Sequence, residues 1–572
     1  MKRLIVCLLV VSCFFFASWS WAEAEENNKF GIHLAVASEE DLLDAAKLVN
    51  SSGGDWGYLT LVIQENDRDP NKWQAVFDQM RELHLVPIVR LATFAEGGYW
   101  HRPSPEDASG WAEFLNSLNW VVKNRYVILF NEPNHASEWG GEVDIANYRQ
   151  VSEAFVGQLR EASPDFFVML AGLDAAAPGQ MPNYGDELAF LKELLPLYRQ
   201  VDGLASHSYP NHGYIGSPNG RGRNSVRTYQ WELDSLKQLG LEKDLPVFIT
   251  ETGWPHSEGI NRGGGFYNAQ TVAKNFEIYF ANIVVDPRVL AITPFLFNYQ
   301  GEPFDHFSWR RMGSQRDFYP QYYSVQGLKK VAGQPKQEQK MSLVEPVPAK
   351  LIKNSSYKIP IVLSNVGQAI WKPEDGYQMS LIGDSSDLEY FFSDFVDLKP
   401  GRQETVYLHL KVGDQLGKKE LAFGVGLNGQ VVSNSQVWDP EIIPPISLDF
   451  KVRAWPEIKK APGYKIVIYN DRQEVVFEKD DIGLTDNWGR VDQINNLLPG
   501  QEYRLVLVRR YYLPRQEFFI AKEGNNQAKM KPMLGIDLTG DGQLGFSDWA
   551  LALARLSLWL KALELGRLDL GD

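Results

Sequence analysis

The fold is indicated by two stretches in which a short apolar run ends in a glutamate, YVILFNEPN at residues 126–134 and VFITETGWP at residues 247–255. The runs are rich in β-branched and aromatic residues, which predicts strands, and each is followed by a proline or glycine turn. A single glutamate at a strand end is usually structural, since charged residues normally lie at exposed strand ends. Two strands that deliver Glu132 and Glu251 in the same way instead predict a pair of carboxylates that act together.

An alternation of strands and helices surrounds these two stretches, from residue 30 to about residue 328. Amphipathic helical patterns, such as those at residues 40–49 and 225–239, separate the strands. The strand candidates are residues 30–36, 57–63, 86–92, 126–130, 167–172, 203–207, 247–250 and 291–297. Eight repeats of this kind predict a TIM barrel. A doubly wound open sheet is the alternative, but no glycine-rich phosphate turn follows the first strand.

In a TIM barrel the reactive groups lie at the carboxyl ends of the strands. Glu132 follows the fourth predicted strand and Glu251 follows the seventh. These strands face each other across the barrel mouth, so we expect the two side chains to meet there although they are far apart in sequence.

Length and charge limit the functional classes. The chain has 572 residues, a formal net charge of -15 and 12% aromatic residues. This length predicts roughly three or four domains. Nucleic-acid binding needs basic patches, so the acidic composition argues against a nucleic-acid partner and fits a neutral substrate. We expect a monomer.

The N-terminal residues are typical of an export signal. Lys2 and Arg3 precede an apolar stretch at residues 4–16, and small residues flank Trp21, which predicts a signal peptide over residues 1–22. The protein is then secreted, periplasmic or on the cell surface; an uncleaved anchor and a lipoprotein signal are the alternatives. Both cysteines lie inside this segment, so the mature chain has no thiol chemistry.

Residues 29–332 resemble the clan A glycoside hydrolases, which are retaining TIM-barrel enzymes. That clan carries an Asn-Glu acid/base after strand four and a Glu nucleophile after strand seven, and Asn131-Glu132 and Glu251 match these positions. Within the clan, TETGWP at residues 250–255 is similar to the nucleophile motif of family 17. NEPN at residues 131–134 is similar to families 5 and 39, and HSY at residues 207–209 matches the His-x-Tyr of family 5.

The resemblance implies a role for each matching residue. Glu251 is the nucleophile, Glu132 is the acid/base, and Asn131 hydrogen-bonds the sugar 2-hydroxyl. No cofactor is needed for catalysis, and the carboxyl groups of a retaining enzyme should lie roughly 5–5.5 Å apart. We expect cleavage within a β-linked polysaccharide, with glucan or mannan favoured. A transglycosylase and a non-catalytic glycan-binding surface protein are the alternatives.

Further residues after the predicted strands are candidates for the substrate cleft. His207 and Tyr209 would position the nucleophile, or His207 is a packed structural residue. Arg90 is a charge in an apolar strand and needs a partner, so it holds Glu132 or Glu251 or braces the barrel floor. Sugar faces stack on aromatic rings, and the aromatic candidates in loops on the catalytic side are Trp100, Trp139, Trp254 and Trp309, of which Trp254 is favoured. The alternative is that such rings only pack their own loops.

The C-terminal part has a different composition. Polar residues 334–341 predict a linker, and alternating runs predict two β-sandwich domains. The first, residues 342–452, resembles immunoglobulin-like modules of bacterial surface proteins. The second, residues 454–531, resembles fibronectin-like or carboxypeptidase-regulatory-like domains. Such modules either bind carbohydrate or act as spacers, and we expect spacers.

The last predicted module, residues 534–572, contains the loop DLTGDGQLGFSD at residues 537–548. Oxygen donors at loop positions 1, 3, 5, 7 and 12 with glycine at position 6 are typical of a calcium loop. The expected ligands are Asp537, Thr539, Asp541, Gln543 and Asp548. A polar turn before a helix is the alternative. With the helix that follows, the loop resembles one calcium repeat of a dockerin. The resemblance implies a cohesin-like scaffold as partner, although a dockerin has two repeats and only one is complete here.

Overall fold

The computed structural model describes residues 27–261, 264–459, 462–565 and 567–569. The predicted signal peptide lies outside these residues. The chain divides after Glu338 into two compact units. Within the described ranges, none of the helices combines the length and the apolar composition needed to cross a membrane.

The first unit is a closed barrel of parallel strands. Its strands are β1 Gly31–Leu34, β2 Gly57–Gln64, β3 Leu85–Ala92, β4 Arg125–Leu129, β5 Phe166–Leu170, β6 Leu204–His207, β7 Val247–Glu251 and β8 Val289–Ile292. Parallel pairing joins β1 to β5 in order and β6 to β8 in order. Single parallel bridges, Met169 with Gly203 and Phe30 with Ile292, connect these two sheets into a ring. The predicted TIM barrel is therefore confirmed.

Helices follow the strands of the barrel. Their bounds are α1 Glu39–Val49, α2 Pro70–Glu82, α3 Asp107–Ser117, α4 Ile145–Ala162, α5 Glu187–Glu193, α6 Leu195–Tyr198, α7 Thr228–Gln238, α8 Ala269–Ile283 and α9 Pro320–Gly327. Side chains cap several of them: Ser38 accepts a hydrogen bond from the amide of Asp41, and Asp144 accepts one from the amide of Asn147. A hairpin pairs Ala95–Glu96 with Tyr99–Trp100 after β3.

Aromatic rings fill the amino-terminal end of the barrel. Tyr58, Tyr126, Phe167 and Phe248 are each the second residue of a strand, and their ring centroids lie 5.1–6.4 Å apart. Such rings contribute both buried area and edge-to-face contacts. Because this layer closes one end, the open cleft lies at the carboxyl ends of the strands.

The second unit begins with two antiparallel sheets and one mixed sheet, in which Lys350–Ile352 and Glu441–Ile443 pair in parallel. One sheet has the strand order Met341–Leu343, Ser356–Asn365, Gln403–Val412 and Leu388–Phe392. A second has the order Tyr377–Gly383, Leu421–Leu427 and Gln430–Trp438, and a third has Lys350–Ile352, Glu441–Ile443 and Gly417–Lys418. Alternate residues of Ser356–Asn365 are buried around Trp371, the pattern of a sandwich core.

Further sheets follow in the same unit. One has the order Trp488–Ile494, Ile446–Lys451 and Asn525–Lys529, and another has Val475–Ile482, Tyr464–Tyr469, Glu502–Arg509 and Tyr512–Ile520. Ala454–Trp455 pairs with Met533–Leu534, and Glu457–Lys459 pairs with Arg567–Asp569. Because Ile446–Lys451 belongs to these sheets and their core, the second set begins before the predicted boundary at residue 452. The tail helices are Phe546–Ala554 and Leu556–Leu565.

Candidate active site

Two glutamates converge at the carboxyl end of the barrel. Glu251 is the last residue of β7, and Glu132 lies three residues after the end of β4. One carboxylate oxygen of each and a ring nitrogen of His207 all lie within 4.8 Å of one another. Both glutamates line a cleft of about 210 Å³. The structure thus brings together the two carboxylates that the sequence pattern paired.

The backbone that presents Glu132 is strained. Phe130 has φ 71° and Glu132 has φ 30°, although neither is a glycine. Such conformations cost about 1–3 kcal/mol each and persist only where their surroundings enforce them. The amide of Glu132 donates to the carbonyl of Gly172 at 3.2 Å, and the buried side chain of Asn134 donates to the carbonyl of Asp174 at 2.9 Å. The NEPN turn is therefore anchored to the segment that follows β5.

Glu251 is held by two donors. Nη1 of Arg90 donates to Oε1 of Glu251 and also to Oδ1 of Asn131 at 2.7 Å. The phenol of Tyr209 donates to Oε2 of Glu251 at 3.0 Å. Of the alternatives left open for Arg90, the structure selects the partnership with Glu251.

The surroundings of Glu251 favour its ionised form. Burial raises the pKa of this carboxyl, but the charges of His207 and Arg90 outweigh it and lower the pKa to about 2. Burial and the neighbouring Glu251 raise the pKa of Tyr209 well above its ordinary value, so the phenol remains a donor. A carboxylate that is ionised and oriented on both oxygens has the properties of a nucleophile.

His207 lies between the two glutamates. Its Nδ1 is 2.7 Å from Oε1 of Glu132 and 3.9 Å from Oε2 of Glu251. Burial lowers the pKa of His207, but the nearby carboxylates of Glu251 and Glu132 more than offset this, and the pKa is raised. A Cβ on Gly172 would lie 2.2 Å from Cδ2 of His207, so glycine is required for this approach. Glu132 keeps an 18% exposed side chain toward the cleft.

Three of the aromatic predictions are wrong. Trp139 is fully buried, and its indole donates to Asn147 at 3.1 Å. Trp254 is 2% exposed and Trp309 is 1% exposed, so neither presents a face to a sugar. The indole of Trp254 donates to the carbonyl of Gly216 and packs edge-on against Phe276 of α8, and Trp309 contacts the same ring. Trp100 is partly buried and does line the cleft.

Several cleft residues were missed by the sequence analysis. They are Glu138, Tyr214, Phe295, Phe304 and Phe307. Phe304 is 42% exposed and contacts Phe295 edge-on at 5.2 Å, which gives the cleft an aromatic rim. The sequence could have indicated Glu138 as a cleft residue. It lies only six positions after Glu132, in the turn after β4, and is followed directly by the aromatic residue Trp139.

The predicted calcium loop has a converging donor set. Carboxylate oxygens of Asp537, Asp541 and Asp548 all lie within 4.8 Å of one another. Gly542 has φ 81°, as the tight turn requires, and its amide donates to Asp537 at 2.8 Å. The hydroxyl of Thr539 donates to Asp548 at 2.9 Å.

No protein-family model matches the chain, and no curated protein matches it. Solved structures similar to it include a β-mannanase from Thermomonospora fusca, with 14% identity, a TM-score of 0.34, and coverage of 52% of this chain and 89% of that chain. Another is an endo-β-1,4-glucanase from Xanthomonas axonopodis pv. citri, with 12% identity, a TM-score of 0.36, and coverage of 52% and 97%. A third is a family 113 β-mannanase from Alicyclobacillus acidocaldarius, with 13% identity, a TM-score of 0.34, and coverage of 53% and 96%.

Proposed function

We propose that the protein is a retaining β-glycoside hydrolase that cuts within a β-linked polysaccharide, with glucan and mannan as the favoured substrates. The observation that carries this proposal is the close approach of Glu132 and Glu251, since one carboxylate oxygen of each lies within 4.8 Å of the other at the carboxyl end of the barrel. Retaining enzymes place their carboxyl groups roughly 5–5.5 Å apart, whereas inverting enzymes need about 6.5 Å or more for a water molecule.

In the first step Glu251 attacks the anomeric carbon. Its Oε1 and Oε2 are fixed by Arg90 and Tyr209, so the attack needs little reorientation. Glu132 protonates the glycosidic oxygen as the bond to the leaving sugar breaks, and its exposure to the cleft gives it access to that oxygen. The product of this step is a glycosyl ester on Glu251.

In the second step water replaces the leaving sugar. Glu132, now ionised, removes a proton from the water, which attacks the anomeric carbon and releases Glu251. Nδ1 of His207 lies within hydrogen-bond distance of Glu132 and beside Glu251, so a protonated imidazole ring stabilises whichever carboxylate carries the charge. Two displacements at one carbon give net retention.

A screen of β-linked polysaccharides, read by product size, tests the activity. We expect oligosaccharides of several lengths from a glucan or mannan, and no products from Glu251→Gln. An acceptor sugar in the same assay separates hydrolysis from transglycosylation, because only a transglycosylase would form mainly longer products. Unchanged cleavage by Glu251→Gln would contradict the mechanism, and no cleavage of any β-linked polymer by the wild type would contradict the proposed function.

Replacement of Arg90 should change the pH dependence. In the wild type Glu251 is ionised above about pH 2, because Arg90 and His207 outweigh the effect of burial. Arg90→Met removes a positive charge that offsets the effect of burial on Glu251. The pKa of Glu251 therefore rises, and the acid limb of the kcat/KM profile moves to higher pH. Arg221→Met, which removes an exposed arginine from the same barrel, is the control. An acid limb that does not move would exclude Arg90 as the group that keeps Glu251 ionised.

We also propose that residues 537–548 bind Ca²⁺. Three converging carboxylates and a glycine turn provide the oxygen donors that Ca²⁺ prefers. Titration calorimetry should show binding of one Ca²⁺ ion to the wild type, and Asp537→Asn should weaken it about tenfold or more, since a charged ligand is lost. Asp471→Asn removes an exposed acid elsewhere in the same unit and should leave binding unchanged. Equal affinity for Asp537→Asn and the wild type would contradict this site.

A further inference from the structure

The cleft contains a third carboxylate that the double-displacement mechanism does not use. Glu138 belongs to the short turn Ala136–Glu138 and lines the same cleft as Glu132 and Glu251. Its Oε2 accepts a hydrogen bond from Nδ2 of Asn131 at 3.0 Å. In the described part of the chain, its other oxygen has no hydrogen-bond or ion-pair partner.

The one hydrogen bond that Glu138 receives from the described residues does not require its negative charge. The Asn131 amide N–H needs only a neutral acceptor, which glutamine would supply. Arg90 is already shared between Asn131 and Glu251, and no ion pair connects it to Glu138. Burial and the charge of Glu132 raise the pKa of Glu138 by more than the hydrogen bond from Asn131 and the charge of Arg90 lower it, so its ionised form is held at a cost. Such a group points to a ligand that donates hydrogen bonds to it.

The position of Glu138 relative to Asn131 indicates which part of a sugar it faces. Arg90, which also contacts Glu251, donates to the amide oxygen of Asn131. Glu138 accepts a hydrogen bond from the amide nitrogen of Asn131. If Asn131 contacts the 2-hydroxyl, the anomeric carbon lies toward Glu251 and the 3-hydroxyl lies toward Glu138.

We infer that Glu138 is a specificity-determining residue that accepts a hydrogen bond from the 3-hydroxyl of the sugar undergoing attack. This inference depends on the proposed function. A free 3-hydroxyl is available in a β-1,4-linked chain, whereas in a β-1,3-linked chain that oxygen carries the next sugar and cannot donate. The contact therefore excludes a substrate linked through O3, and a polymer of neutral sugars such as β-1,4-glucan or β-1,4-mannan fits it.

The test combines a variant with a modified substrate. The probes are 2,4-dinitrophenyl β-cellobioside and β-mannobioside, each with a normal or a 3-deoxy reducing-end sugar. Glu138→Gln keeps an acceptor for Asn131 but loses the charge. We expect it to lower kcat/KM about 10- to 100-fold on the hydroxylated probe that the wild type prefers, as for hydrogen bonds to charged groups. On the 3-deoxy probe the wild type and the variant should differ by less than about threefold.

A matched control changes the same residue type nearby. Glu142 lies four residues further along, is 61% exposed, pairs with Arg102 and does not line the cleft. Glu142→Gln should leave all four rates unchanged. An equal loss for Glu138→Gln on hydroxylated and 3-deoxy probes would show that Glu138 acts only through Asn131, and would overturn the inference.

The polymer assay gives an independent outcome. We expect the wild type to cut β-1,4-linked glucan or mannan and to leave β-1,3-glucan intact. Efficient cleavage of β-1,3-glucan would overturn the inference but leave the proposed hydrolase function standing. A failure of the proposed function is distinguishable, because then none of these polymers is cut and Glu251→Gln changes nothing.

Discussion

Replacement of Glu251 by glycine is expected to lower kcat/KM on a 2,4-dinitrophenyl β-glycoside by at least about 10⁴-fold, as is typical when a nucleophile is removed. Sodium azide should restore turnover, because it fits the space left by the carboxylate and attacks the anomeric carbon directly. The dinitrophenolate leaves with the bonding electrons, and the product is the α-glycosyl azide. Its formation would identify Glu251 as the group that attacks from that face.

The control for this variant is Glu242→Gln, an exposed position on the same barrel, which should retain wild-type rates. A melting temperature close to that of the wild type would show that Glu251→Gly is folded. If the folded glycine variant retained more than about a tenth of the wild-type rate, the assignment of Glu251 as nucleophile would be wrong.

Replacement of Glu132 by glycine is expected to lower the rate of cleavage by an amount that depends on the leaving group. On a polysaccharide, whose leaving oxygen must be protonated, kcat should fall by about 10²–10⁴-fold. On a dinitrophenyl glycoside the first step needs no acid, so the glycosyl-enzyme accumulates and a burst of dinitrophenolate precedes slow turnover. Azide then intercepts the intermediate and gives the β-glycosyl azide, the opposite anomer to that from Glu251→Gly.

The opposite anomers separate the two roles without reliance on the size of either effect. The same azide anomer from both variants, or an equal loss on both classes of substrate, would contradict the assignment of Glu132 as acid/base. His207→Asn provides a comparison, since it removes the ring that contacts Glu132 but leaves both carboxylates in place. It should lower the rate less than Glu132→Gly does.

The barrel and its two carboxylates were predictable because they depend on short-range patterns. Each strand can be recognised in the sequence as an apolar run. Because reactive groups lie at the carboxyl ends of barrel strands, Glu132 and Glu251 were expected at the same end of the barrel. Arg90 stood out as a charge within β3, but its partner was not predictable. Strand order places it near both glutamates, and only side-chain geometry selects Glu251.

The loops were predicted less well, since no periodicity shows which way a loop side chain points. Trp254 follows the nucleophile directly, yet the carbonyl of Gly216 and the rings of α8 hold it in the core. Glu138 shows the opposite difference, since it was not predicted as a cleft residue but lines the cleft. The turn Ala136–Glu138 brings its side chain to Asn131. In the tail, loop spacing correctly indicated a cluster of carboxylates. Binding of calcium and of a protein partner there stays a prediction.

Double displacement requires Glu132 and Glu251 to act on one glycosidic bond with net retention of the anomeric configuration. Proton NMR of the products in the first minutes of hydrolysis, before mutarotation, distinguishes retention from inversion. Retention predicts that the β-anomer of the new reducing end appears first and the α-anomer grows in later. First appearance of the α-anomer would show inversion and would contradict double displacement by Glu132 and Glu251.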